Sequence, residues 1–160
     1  MTTGQSMSDE VLATLVANVG DAVIVADPSG VIRYWNPAAV RMLGYAEHDA
    51  IGASLDIIIP EKLRERHWDG YRRVMATGRT QYGARTLAVP ALRADGTRIS
   101  IEFTVALLPD ATDEIRGIAA ILRDVTDRWE QQRALQRRLH ELERDLETLQ
   151  ANAGAADGQG

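Results

Sequence analysis

The sequence predicts an α+β fold in which a five-stranded antiparallel sheet carries helices on one face. Three observations lead there. Asp27-Pro28-Ser29-Gly30 is a turn signal, with proline at i+1 and glycine at i+3, between two apolar runs, which makes a β-hairpin early in the chain. Ile99, Ile101, Phe103, Val105 and Leu107 alternate with Ser100, Glu102 and Thr104, the period of a half-buried strand. Between these lies a stretch of helical period, so the order is two strands, small helices, then three strands.

Each element has a local cause. Residues 1–8 are polar and expected to be disordered, and Ser8 or Asp9 can cap a helix within 9–20 whose apolar side is Val11, Leu12, Leu15, Val16 and Val19. Asp21–Ala26 and Val31–Trp35 form the hairpin strands. Asn36-Pro37 caps a helix over Ala38–Leu43 that Gly44 ends. Short helical pieces at Glu47–Ile51 and Ser54–Ile58 lead to a longer helix, opened by Pro60 and stopped by Thr77-Gly78. Gln81–Leu92 and Arg98–Leu108 are strands reversed by Ala94-Asp95-Gly96-Thr97, and Gly117–Arg123 is the last strand after a loop.

From Val125 the pattern changes. Val125, Arg128, Gln132, Leu135, Leu139, Leu142, Leu146 and Leu149 step by three and four, a heptad seam with polar residues in its first turns. Such a helix alone is marginal in water. Either it folds back on its own sheet, or it pairs with a second copy; the strict spacing of the last heptads favours a parallel homodimer through 125–150. The division is therefore a disordered start at 1–8, a cap helix at 9–20, an α+β domain at 21–124, a coiled-coil helix at 125–150 and a disordered tail at 151–160.

Composition excludes several function classes. Eighteen Lys and Arg against 23 Asp and Glu leave a formal net charge of −5, which argues against a general nucleic-acid binder. With 5% aromatic residues there is no evident stacking platform for single strands. The absence of cysteine removes disulfides, thiolate metal sites and cofactor attachment through sulfur, and fits a reducing, cytoplasmic setting. No apolar run approaches the length of a membrane span. No Ser-His-Asp set, Gly-rich phosphate loop or His/carboxylate cluster stands out, so the chain reads as a non-enzyme. Asp56, Glu61, Glu65 and Asp69 read as solvated faces and caps.

The chemistry concentrates on the helix after Pro60. Leu63, His67, Gly70, Tyr71 and Val74 fall on one helical face, so an imidazole points from an apolar stripe toward the core. Gly70, one turn on, leaves room for something flat. Read from spacing, His67 is either a packed core histidine whose second nitrogen finds a carbonyl, or an iron ligand.

The chain resembles a PAS domain over roughly 9–126. The residues that carry the resemblance are Asp21–Asp27, Gly30-Val31-Ile32, Trp35-Asn36-Pro37-Ala38-Ala39, Leu43-Gly44-Tyr45, Arg93–Thr97 and Arg123-Asp124-Val125-Thr126. Within that family, Pro60-Glu61-Lys62-Leu63-Arg64-Glu65-Arg66-His67 is similar to the proximal-ligand motif of haem-binding domains in FixL-type oxygen-sensor kinases and direct oxygen sensor phosphodiesterases. The resemblance implies haem b held by His67 Nε2, a propionate contact from Arg73, and ring faces packed by Leu63, Val74, Leu87, Val105 and Leu107. The distal arginine of that group falls here on Leu87, the sixth-ligand methionine on Arg85, and a second propionate contact on Gln81, beside Tyr82. With Val89 the distal wall reads as apolar. The resemblance thus implies a sensor of a diatomic gas (O2, CO or NO) or of redox state, acting as a homodimer on a histidine kinase or other effector. A haem-free PAS module that dimerises, or one that binds a metabolite or non-covalent flavin, is the alternative.

Overall fold

The computed structural model describes residues 8–80 and 87–157, with side chains described for 8–80 and 88–152. Ser8 accepts a hydrogen bond from Val11 N at 3.3 Å and opens helix α1, Asp9–Asn18. Strands β1 (Ala22–Ala26) and β2 (Ile32–Trp35) form the hairpin, with Ile24 opposite Trp35. The Asp27 carboxylate closes the turn, accepting from Ser29 N at 2.9 Å, Val31 N at 3.1 Å and Arg33 Nε at 2.9 Å.

Asn36 then caps α2, Pro37–Leu43, and Gly44 ends it in the left-handed region at φ 80°. Helix α3 (Glu47–Ala50) and a 3-10 turn (Leu55–Ile57) lead into α4, Glu61–Thr77. Strands β3 (Leu87–Leu92), β4 (Arg98–Pro109) and β5 (Ile115–Asp124) complete an antiparallel sheet of order β2-β1-β5-β4-β3. A second unit, beginning at Thr126, consists of the single helix α5, Thr126–Asp157.

One face of the sheet makes the core. Ala22, Ile24, Ile32, Trp35, Ala91, Ile99, Ile101 and Leu122 are buried with Ala39, Leu43, Ala50 and Ile58 from the helical segment. Burying these side chains drives the layer together at roughly 1.5–3 kcal/mol for each large one. Gly117 lets β5 approach β1: a Cβ there would lie 2.7 Å from the Ala26 carbonyl oxygen. At the far end of β5, Val125 N bonds Ser100 O at 2.9 Å, and Arg93 joins Asp124 at 2.9 Å and Met42 O at 3.0 Å.

The structure departs from the sequence reading at a few boundaries. The first part of the strand expected from Gln81, residues 81–86, lies outside the described residues, and β3 begins at Leu87. Strand β5 starts at Ile115, pairing opposite Pro109 across a register shift. Helix α5 continues past 150 to Asp157 through a stretch with four alanines, the strongest helix former. The apolar side of α1 is only partly covered: Val11, Leu12 and Leu15 are 45–58% exposed, while Val16 is half-buried.

Candidate functional site

Helix α4 is held at its start and along one side. Arg64 folds back, donating to Ile59 O and Asp56 O at 3.2 Å each. Trp68 Nε1 donates to Asp56 Oδ1 at 2.8 Å, and the indole lies over Gly30 in the hairpin turn. Tyr71 is buried, and its hydroxyl donates to Asp27 O at 2.5 Å. Burial, and then the Asp27 charge, push that hydroxyl up to about 12, so it stays a donor.

Gly30 allows this packing. It has φ +79°, and an added Cβ would sit 2.1 Å from Trp68 Cη2. Gly30→Ala is expected to lower unfolding free energy by about 2 kcal/mol, combining left-handed strain with displacement of the indole. Chemical denaturation checks this; a loss below about 0.5 kcal/mol would show that Trp68 does not need this seat.

His67 lies beside these rings, 4.9 Å from Trp68 and 5.8 Å from Tyr71 between ring centroids. Its Nδ1 is buried, and the imidazole makes no hydrogen bond among the described residues. Burial holds its pKa below the ordinary 6.5, against a smaller opposing effect of the Asp56 charge. The ring is thus neutral near neutral pH, with a lone pair available to a metal.

The lowered pKa makes stability depend on pH. The unfolded chain takes up a proton on this histidine before the folded one does, so stability is full above 6.5 and falls with pH from there toward the folded pKa. Urea unfolding across that window should show a steeper acid loss for the haem-free wild type than for His67→Leu. Equal slopes would place the imidazole in water.

The other expected residues fall in three groups. Leu63, Gly70 and Val74 are half-buried on α4, and a Cβ at Gly70 would meet nothing within 4 Å. Val89, Val105 and Leu107 are half-buried on the sheet, in register with the face that buries Ile99 and Ile101. Val105 and Leu107 extend that face beyond the buried core, so apolar surface there is incompletely covered. Arg73 is exposed and makes no side-chain hydrogen bond among the described residues. Leu87 opposes Phe103 in the β3–β4 register. Gln81, Tyr82 and Arg85 lie outside the described residues.

Tyr71 shares the face expected of it but is committed to the hairpin carbonyl, because it lies between His67 and Trp68 around the helix. Asp56, read as one of several solvated carboxylates, instead anchors Trp68 and lies 3.8 Å from Arg64. The signal for Trp68 is its place next to His67 in the chain; nothing local marks Asp56 or Gly30 as its partners.

What these residues offer a haem is an imidazole and apolar side chains on one helical face. His67 Nδ1 is buried without a hydrogen-bond partner among the described residues, as is Trp35 Nε1 in the core. A neutral imidazole that shares a helical face with Leu63, Gly70 and Val74 has the chemistry of an axial ligand. Among the described residues no group of three or more His, Cys, Asp or Glu could hold a bare metal ion.

The sequence profile of the family described as the PAS fold matches residues 16–130. The chain belongs to the PAS family. This PAS domain is 39% identical over 118 residues to an uncharacterised protein of Azorhizobium caulinodans, a match covering 73% of this chain and 16% of that protein. It is 28% identical to the sensor protein FixL of Bradyrhizobium diazoefficiens, over 84% of this chain and 26% of FixL. To the oxygen sensor protein DosP of Escherichia coli it is 27% identical, over 58% of this chain and 11% of DosP. The chain thus spans a minor part of each relative's length. Among solved structures, the PAS domain of a Colwellia psychrerythraea protein aligns with TM-score 0.66 and 24% identity, covering 74% of this chain and 97% of that one. An RNA-binding light-oxygen-voltage receptor aligns with TM-score 0.71 and 23% identity, covering 88% of this chain and 40% of that one. Both show the fold. Among the described residues, no helix is long and apolar enough to cross a membrane.

Proposed function

We propose that this PAS domain is a non-catalytic sensor module that binds haem b through His67, responds to a diatomic gas (O2, CO or NO) or to redox state, and acts as a homodimer through its C-terminal helix. The observation that carries the reading is His67: a neutral imidazole that makes no hydrogen bond among the described residues, on a helical face with Leu63, Gly70 and Val74. The relation to FixL, a sensor protein, and DosP, an oxygen sensor, supports it. A histidine kinase or another effector would read the output.

Bound haem would supply an iron whose open coordination position takes the gas. His67 would hold the iron, and Trp68 and Tyr71 would keep His67 aligned, since each ties α4 to the hairpin or the 3-10 turn. Arg73, exposed on the same helix, would meet a propionate in a bidentate pair. Leu63, Val74, Val89, Val105 and Leu107 would exclude water. At its far end the sheet is tied to Asp124 and Val125, the last residues before α5, so a shift in β4 or β5 would reach the start of that helix.

Leu87, where the resembling oxygen sensors carry an arginine, would set the ligand preference of a bound haem. Bound O2 carries partial negative charge and gains from a donor, whereas CO gains much less. One charge-assisted hydrogen bond is worth roughly 1.5–3 kcal/mol, or about 10- to 150-fold in affinity. Oxygen affinity is therefore expected to be low relative to CO. Tight O2 binding unchanged by Arg85→Ala and Tyr82→Phe would contradict this.

The test of the whole reading is an absorption spectrum of protein expressed with haem supply: oxidised, then dithionite-reduced, then exposed to CO. A Soret band that shifts at each step is the expected result. A colourless protein after reconstitution, or a flavin spectrum, would replace haem with the alternative PAS readings.

A further inference from the structure

We propose that His140 is a phosphoacceptor: its Nε2 takes a phosphoryl group whose oxygens Arg137 and Arg144 hold. This goes beyond the sensor reading and needs neither haem nor a second copy. The imidazole Nδ1 lies 2.9 Å from Gln136 O on the same helix. A carbonyl only accepts, so Nδ1 carries the proton and Nε2 the lone pair. Because Nδ1 faces the helix backbone, Nε2, across the ring, faces away from it, on an exposed side chain.

The surroundings are cationic. Arg133, Gln136, Arg137, His140, Glu141 and Arg144 line an open groove of about 510 Å³ on α5. At about 100° per residue, His140 and the three arginines fall within roughly 60° of arc, with the leucine row on the opposite side. The groove therefore stays open whatever that row packs against. Arg133 lies over the Trp129 ring at 5.8 Å, and the groove's carboxylate, Glu141, is 3.3 Å from Arg138. Arg137 and Arg144 make no ion pair or side-chain hydrogen bond among the described residues. They stand three residues before His140 and four after it, the two spacings that make neighbours on a helix. Two guanidiniums astride a fixed imidazole suit a tetrahedral dianion, which arginine binds through paired N–H groups. His48 is the contrasting case: also exposed, its Nε2 lies 3.4 Å from the Asp49 carboxylate.

The donor is an activated phosphoryl compound: a phosphoanhydride, an acyl phosphate or a phosphoramidate. The Nε2 lone pair attacks phosphorus and the N–P bond forms. The bond from phosphorus to the leaving oxygen or nitrogen breaks, and its electron pair goes to the leaving group. Nδ1 keeps its proton on Gln136 O during attack and releases it to water afterwards. The arginines stabilise the charge carried by the transferring group. Modification adds about two negative charges to the groove, as it does on other phosphorylated side chains, and so inverts what α5 presents to an effector.

The probe is potassium phosphoramidate on the full chain, read by mass spectrometry under alkaline conditions and by phosphorus NMR. His140 should be phosphorylated about tenfold faster than His48, and at Nε2; two exposed arginine contacts of a few-fold each set that ratio. Arg137→Gln with Arg144→Gln should bring His140 down to the rate of His48. Glutamine is a good helix former, so the helical circular dichroism signal should be kept. Arg137→Lys with Arg144→Lys, which keeps both charges, should retain most of the advantage. Equal rates at the two histidines of the wild type would overturn the proposal. So would a His140 rate unchanged in the glutamine variant, or product formed at Nδ1 of His140.

Discussion

Replacing His67 with alanine is expected to abolish stable haem binding, lowering affinity by more than about 100-fold, beyond the tenfold-to-hundredfold losses typical of groups that merely orient a metal ligand. No other imidazole or thiolate stands in its place. No other histidine belongs to the PAS domain's core: His48 is exposed on α3 and His140 is exposed on α5. No cysteine exists to replace it. Removing the imidazole also removes little of the fold, since the ring makes no hydrogen bond among the described residues and is only half-buried. The variant should therefore fold with a loss of about 1 kcal/mol or less. Added free imidazole should fill the gap and return a Soret band. A wild-type Soret spectrum retained in His67→Ala would remove His67 as the ligand. A lost band with no imidazole rescue, in a protein whose unfolding is unchanged, would point to a different ligand geometry.

Asn36→Ala is expected to be the most destabilising single change, at about 3–4 kcal/mol. The side chain is completely buried. Its carbonyl oxygen accepts from Val23 N and Ala39 N, both at 2.9 Å, and its amide donates to Val16 O and Asp21 O, both at 3.1 Å. One amide thus joins β1, the start of α2 and the end of α1. Alanine leaves four backbone groups unpaired, each costing roughly 1 kcal/mol where water cannot reach. Asn36→Asp keeps the acceptor but turns a donor into a charged oxygen facing two carbonyls, so it should fare no better. Equilibrium unfolding in urea measures both; a loss under about 1 kcal/mol for Asn36→Ala would mean that water replaces the amide.

Near-neighbour physics makes most of the fold legible. The Asp27–Gly30 turn, the Asn36-Pro37 start of α2, the Gly44 stop and the alternation of β4 each depend on a few adjacent residues, and the structure places each as expected. Element ends are less legible: Ile115 joins β5 because its partner Pro109 lies across the sheet, and nothing in Ile115-Arg116 says so. Local sequence marks Asn36 as a helix cap, which accounts for one of its four hydrogen bonds. The other three reach residues 13 to 20 positions away.

For the site, the same line divides what sequence and structure each decided. The sequence alone determined that His67 shares a helical face with Leu63, Gly70 and Val74, because that follows from 3.6 residues per turn. It also determined the leucine row of α5, for the same reason. Tertiary structure decided what surrounds the histidine. Trp68 sits on Gly30, Tyr71 bonds the Asp27 carbonyl, and Asp56 becomes the indole's acceptor. It also left the buried Nδ1 without a partner. Those outcomes depend on where the hairpin turn comes to rest against α4, across a separation of 44 residues between Tyr71 and Asp27. A helical face repeats within the chain's own geometry; what meets it depends on packing, which no local pattern encodes.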